Sequence, residues 1–313
     1  MSAPTLIPPS ADDVRVERTL TLGDRLRAAS ARNRSRTARV SGPTAAVLKY
    51  VSLVVASLVA IVPLVTLLFA SFKTKAEFAA TGPLDPPKNW LNFSNYSKVL
   101  LEGDMIVAFV NTLVILAVAL VGTILLGTMT AYAIDRFNFR GRGLVMSGFL
   151  VAALVPAVTT QVATFKIINF LGVFNTRWSV ILLFLGTDII AIQIFMQFMR
   201  SISRSLDEAA MLDGANRFRI YRSVILPLLR PAIATVVIIK GIAIYNEFYL
   251  PFLYMPSGDL GVLSTALFRF KGPQGSEWEL IAACTILVIV PTLVAFLALQ
   301  RHIYSGLTSG ATK

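Results

Sequence analysis

The chain has 313 residues, of which 55% are hydrophobic and only 15% charged, with a mean hydropathy of +0.70 and a net charge of +12. So little polar surface cannot cover one or two water-soluble cores, which excludes an ordinary soluble enzyme or binding domain. The positive charge is spread along the chain at the ends of apolar runs rather than gathered in one basic patch, which argues against nucleic acid as the partner.

Taken from the start, residues 1–47 are rich in Arg, Ser, Ala and Pro and have no apolar period, so they read as a basic, flexible arm. Nine of the 29 Lys and Arg fall in residues 1–50, mixed with Asp12, Asp13, Glu17 and Asp24. The apolar run begins only near Leu48 and is too long for a signal-peptide core. The four acids also fit a mitochondrial-type presequence poorly. The arm is expected to be a cytoplasmic extension whose basic residues touch anionic membrane lipid.

Six apolar runs follow, near 48–71, 107–134, 144–168, 179–199, 231–252 and 280–300. Each reaches the roughly 20 residues that a helix needs to cross a bilayer. None alternates like a barrel strand, so the fold class is an all-α membrane protein with six transmembrane helices. Pro63 and Pro156 lie inside spans and are expected to kink them. With both termini inside, the cytoplasmic segments hold 20 of the 29 Lys and Arg and the external ones 7, with Lys166 and Lys240 within spans. That asymmetry predicts N- and C-termini in the cytoplasm, and the 200–230 loop with them. The external stretches 72–106 and 253–279 are long enough for a docking surface, or are solvated connectors with Trp90 and Trp278 as interfacial anchors.

Within the 200–230 loop, Ser205-Leu206-Asp207-Glu208 has the spacing of a capping box, which predicts a helix starting at Ser205. Asp207 and Glu208 in its first turn suit the positive end of the helix dipole. Gly214 is placed to end that helix in a left-handed conformation. A second short helix through Phe218, Ile220, Tyr221 and Val224 then runs to Pro227, with Arg217, Arg219 and Arg222 on a basic face.

These residues carry a family likeness. Glu208-Ala209-Ala210, three residues, Gly214, nine residues, then Val224-Ile225-Leu226-Pro227 resembles the EAA loop of bacterial ATP-binding-cassette (ABC) importer permeases, with Val224 where Ile is usual. Ser203 departs from a position where relatives often have Pro. The likeness implies the type I importer permease fold over 48–313, with 200–230 as a coupling loop. Glu208, Ala209, Ala210, Asp213, Gly214, Leu226 and Pro227 would meet a separate ATPase there. Tyr245-Asn246-Glu247-Phe248 with Pro251 resembles a segment of carbohydrate importer permeases, Tyr replacing Trp. The tail 301–313, with Gln300 before it, resembles that of maltose-type permeases. Gln300, Arg301, Gly306, Leu307, Thr308 and Gly310 would then lie near the ATPase.

Ionisable residues inside spans face cavities or partners. Asp188, Lys240 and Glu247, with the polar Gln193 and Asn246 and the aromatic Tyr245 and Tyr249, therefore either line a polar pathway for a hydroxyl-rich solute or pack against a second membrane subunit. Lys240 and Glu247, seven apart, are expected on one helical face. No Gly precedes any of the nine Lys, so the phosphate-binding Gly-Lys pair is missing. His302 is the only histidine and Cys284 the only cysteine, which gives no metal-ligand spacing and no internal disulfide.

The resemblance thus implies no catalytic residue, no metal and no cofactor in this chain. ATP and Mg would belong to an ATPase dimer. The other implied partners are a homologous second permease, an extracellular solute-binding protein and a sugar substrate (a disaccharide, an oligosaccharide or a related polyol or glycerol-phosphate solute), in the cell membrane of a prokaryote. The alternative is an ion-coupled secondary transporter using intramembrane carboxylates such as Asp188 and Glu247, although no inverted repeat is visible.

Overall fold

A computed structural model describes residues 43–186, 188–272 and 275–309. Most of the basic arm and Gly310 of the tail lie outside the described residues. Contacts divide the chain into two units, meeting between Leu64 and Val65. In the first, residues 43–64 are helical, the beginning of α1 (Pro43–Phe72), and Leu48, Val54 and Val59 are exposed. An apolar helix that buries nothing of its own is suited to lipid as solvent. Pro63 lies within this helix without dividing it into two elements.

The second unit begins with a folded cap rather than a polar connector. Helices α2 (Lys75–Ala80) and α3 (Ser94–Leu101) are held by aromatic packing, with Trp90 edge-on to Phe69 at 5.4 Å and Phe72 against Tyr96 at 5.4 Å. Asn95 Nδ2 donates to the carbonyls of Ser71 (2.9 Å) and Lys73 (2.8 Å). Lys73 is buried, and its Nζ donates to the Gly82 carbonyl at 2.9 Å. Burial raises the Tyr96 hydroxyl above its usual pKa, against the opposing hydrogen bond to Ser71.

The rest is organised around α4 (Met105–Arg136), which packs along α7 (Arg177–Leu185), α8 (Ile189–Ser201) and α12 (Arg230–Asn246). Glycines on α4 allow the approach. A Cβ on Gly122 would lie 1.8 Å from the Leu185 side chain, and one on Gly127 2.9 Å from the Phe195 ring. Phe195 is fully buried in a core that joins α4 and α8 to Ile220, Tyr221, Ile225, Leu229 and Val236.

Three helices are single elements of spanning length, covering Ala45–Phe72, Met105–Arg136 and Trp278–Ala298. The last belongs to α15 (Trp278–Ser309), which runs through Pro291 as one helix. Three further candidates are bent helix pairs, giving up to six spans if each pair counts as one by length and composition. Between α5 (Arg142–Leu154) and α6 (Gln161–Phe170) the chain turns by 92° at Pro156 and a 3₁₀ turn, much more than a kink. The pair α7 and α8 bends by 41°, with Gly186 and Asp188 at the break. The third pair bends by 70° as it enters α12. Neither of these last two breaks was expected from hydropathy.

The fifth span is also shorter than 231–252. It ends at Asn246, and a separate helix α13 (Tyr249–Tyr254) follows. Phe248, Phe252 and Phe268 stack beyond that end. Then come α14 (Leu263–Ala266) and a two-stranded antiparallel hairpin, β1 (Lys271–Gly272) with β2 (Gly275–Ser276).

Candidate functional site

The expected loop helices form where the sequence places them. Helix α9 (Ser205–Leu212) starts at Ser205, but no capping box closes it. Arg204 is the cap residue, and the Ser203 hydroxyl accepts from the Ser205 amide at 3.3 Å. Gly214 adopts φ +80°, a left-handed turn that only glycine enters without strain. The Asn216 side chain then accepts from the Arg219 amide and starts α10 (Arg217–Ile220). A π-helical turn over Tyr221–Ile225 and the short α11 (Leu226–Leu228) complete the hairpin.

Burial on this hairpin inverts the usual pattern. Asp207 is 4% exposed, while Leu212 is 90% and Phe218 64% exposed. Leu206 and Met211 also face outward, as do Glu208, Ala209, Asp213 and Gly214; Ala210 is half-buried. Leu226 is half-buried and Pro227 exposed. The inner face carries Ile220, Tyr221 and Ile225 into the core. Apolar side chains left out on a charged, amphipathic element form the kind of surface that a protein partner or lipid covers.

Sequence reasoning missed what holds the buried Asp207. The Arg136 guanidinium, 4% exposed, lies between two carboxylates, with Nε 2.6 Å from Asp207 Oδ2 and Nη1 donating to Asp135 Oδ2 at 2.9 Å. Its Nη2 donates to the Ile202 carbonyl at 2.9 Å. Arg204 Nη2 donates to the Asp135 carbonyl at 2.9 Å. Arg136 Nε and Asp207 Oδ1 have no hydrogen-bond partner among the described residues, so Asp207 is held to Arg136 as a close charge pair. The planar fork of Arg suits this multi-point contact. The signal in the sequence was an acid, Asp135, placed directly before Arg136 at a basic span end.

The expected pathway residues do not come together in one place. Asp188 Oδ1 accepts from the Ala191 amide at 3.0 Å and caps α8, while its other oxygen pairs with Lys240 of α12. This ion pair lines a cavity of about 450 Å³ with Leu183, Phe184, Gly186 and Ile244. Tyr245 and Asn246 line a second, largely apolar cavity of about 580 Å³, and Tyr245 Oη donates to the Val288 carbonyl at 2.8 Å. Gln193 lines neither cavity.

Glu247 does not share a helical face with Lys240, because the helix ends before it. Its Oε1 instead accepts from the amides of Tyr249 (2.9 Å) and Leu250 (3.2 Å), starting α13, with Tyr249 exposed. In the tail, Gln300, Arg301, Gly306, Leu307 and Thr308 lie on the helical backbone of α15. No cluster of metal-ligand residues occurs among the described residues.

A family model described as "binding-protein-dependent transport system inner membrane component" matches residues 123–308, which include the whole hairpin. The chain is 29% identical over 279 residues to the diacetylchitobiose uptake system permease protein NgcG of Streptomyces coelicolor, covering 88% of this chain and 92% of that one. It is 31% identical over 251 residues to the maltose/maltodextrin transport system permease protein MalG of Photorhabdus laumondii, covering 75% and 85%. Among solved structures, a bacterial ABC transporter involved in importing the acidic polysaccharide alginate superposes with a TM-score of 0.73 at 21% identity. That match covers 82% of this chain and 95% of the other, and it bears on the fold alone.

Proposed function

Because the chain belongs to the family of binding-protein-dependent transport system inner membrane components, we propose that it is one half of the translocation pore of an ATP-driven sugar importer. It is a transport component of the type I permease fold, not the subunit that hydrolyses ATP. An ATPase dimer carrying ATP and Mg engages the exposed face of α9, a homologous permease completes the pore, and an external binding protein delivers the solute. The substrate class is a di- or oligosaccharide, supported by the names of relatives such as the diacetylchitobiose and maltose/maltodextrin permeases.

The observation that carries this reading is the inverted hairpin, with a charge buried beneath and Leu212 and Phe218 left uncovered at its tip. Two-state alternation needs a ligand with different affinity for the two states. Closure of the ATPase dimer around ATP supplies that difference, and the hairpin receives it. The intramembrane carboxylates give no separate support to an ion-coupled carrier, since Asp188 is paired with Lys240 and Glu247 caps a helix outside the span.

The test is uptake of labelled diacetylchitobiose, maltose and raffinose by cells carrying Glu208→Lys or Gly214→Leu. Both variants are expected to insert into the membrane at normal levels and to lose at least tenfold of the uptake. Normal uptake with either variant would refute the coupling role.

A further inference from the structure

We propose that the stroke received by the hairpin is delivered into the second span, α4, rather than into the fourth and fifth spans that flank it in sequence, and that Arg136 is the positioning residue of this joint. The inference rests on the coupling role proposed above. It comes from where the polar ties of the hairpin end.

Asp207 meets Arg136 at 2.6 Å. The Tyr221 hydroxyl meets the Thr128 hydroxyl at 2.8 Å, and Tyr132 Oη donates to the Arg217 carbonyl at 3.3 Å. Arg204 donates to the Asp135 carbonyl. The Arg217 guanidinium also lies 5.7 Å from the centre of the Phe137 ring, just past the end of α4. Thr128, Tyr132, Asp135 and Arg136 recur at three- and four-residue spacing, so one side of the last turns of α4 holds both halves of the hairpin.

The flanking connections are of a different kind. Toward α8 the backbone leaves the helix at Ile202, in an extended conformation. Toward α12 it passes a π-helical turn, a three-residue helix and a bend of 70°. Bent, irregular joints absorb displacement, whereas a buried guanidinium hydrogen-bonded to one carboxylate and a carbonyl, and ion-paired with a second carboxylate, resists it. Since α4 packs along α7, α8 and α12, displacing it moves the helices around both cavities.

The experiment uses the complete complex, coexpressed with its ATPase and second permease, in a Cys284→Ala background. Leu113→Cys on α4 lines the larger cavity and is half exposed, so it reports movement of that helix. Trapping with ATP and vanadate should change its thiol-labelling rate at least fivefold. With Arg136→Lys or Asp207→Asn, the complex should still copurify with the ATPase, but the change should fall below twofold. The proposal is overturned if the trapped complex shows no change at Leu113→Cys, if either variant keeps the full response, or if either fails to copurify. That last outcome would make the cluster merely structural. Glu208→Lys separates the two readings. If it responds fully, the coupling role itself fails; if it is silent while Arg136→Lys and Asp207→Asn respond, only the route through α4 fails.

Discussion

At the scale of single residues, the Asp188–Lys240 pair shows how a membrane protein tolerates charge in its interior. An isolated Asp or Lys at the centre of a span costs about 3 kcal/mol on insertion scales. Here each is neutralised by the other, and Asp188, 7% exposed at its side chain, also caps α8. Removing one member strands its partner, which in a buried pair costs about 3–5 kcal/mol. Lys240, 27% exposed, keeps some solvent and draws the cost toward the lower end. Asp188→Asn and Lys240→Met should therefore each destabilise the protein by about 3 kcal/mol, and the double variant by clearly less than the sum. Thermal unfolding in detergent measures this, and strict additivity would show that the two charges do not interact. The sequence identified both as intramembrane ions but related Lys240 only to Glu247, on the same helical face and too far away to pair with it, because periodicity reports positions along one helix. The true partner lies on another span, which no single-helix pattern can disclose. The Arg136 cluster was hidden for the same reason, since Asp135, Asp207 and Ile202 meet only after folding.

At the scale of elements, the hairpin was the most legible part of the chain. Its start at Ser205, its turn at Gly214 and its second helix toward Pro227 are fixed by local chemistry that acts within a few residues. The spans were legible in number but not in path. A hydropathy window measures transfer from water and is blind to direction, so the breaks at Gly186–Asp188 and Leu229 passed unnoticed. Even Pro156, read as a kink, turns out to mark a right-angle turn of 92°. What fixes those paths is contact between helices, and the glycines of α4 are the measurable case. Gly127→Leu would drive a side chain into the fully buried Phe195, an overpacking change worth about 1–3 kcal/mol. Gly148 on α5 has nothing within 4 Å of an added Cβ. Gly148→Leu should accordingly be neutral or gain about 0.5–1 kcal/mol from helix propensity. Melting temperatures of the two variants, compared in one detergent, decide it; equal losses would show that close helix approach on α4 is not what Gly127 provides.

At the scale of the whole molecule, every functional statement depends on which side of the membrane the hairpin occupies. The charge distribution, with 20 of 29 Lys and Arg on the hairpin side, predicts the cytoplasm. The cap formed by α2 and α3 would then face outward, on the side from which the proposed binding protein would deliver solute. The chain is well suited to testing this, because its single cysteine, Cys284, is fully buried and small, and Cys284→Ala gives a background without thiols. Leu212 at the hairpin tip is 90% exposed and Leu91 in the cap 78%, so cysteines at either position leave the core intact. A membrane-impermeant maleimide added to intact cells should label Leu91→Cys at least tenfold faster than Leu212→Cys, and in inside-out vesicles the ratio should invert. An assembled ATPase covering the tip would slow labelling of Leu212→Cys in those vesicles, and removing that subunit should restore it. Labelling of Leu212→Cys from outside intact cells would put the hairpin out of reach of ATP, and no arrangement of the remaining helices could then connect this chain to a nucleotide-driven partner.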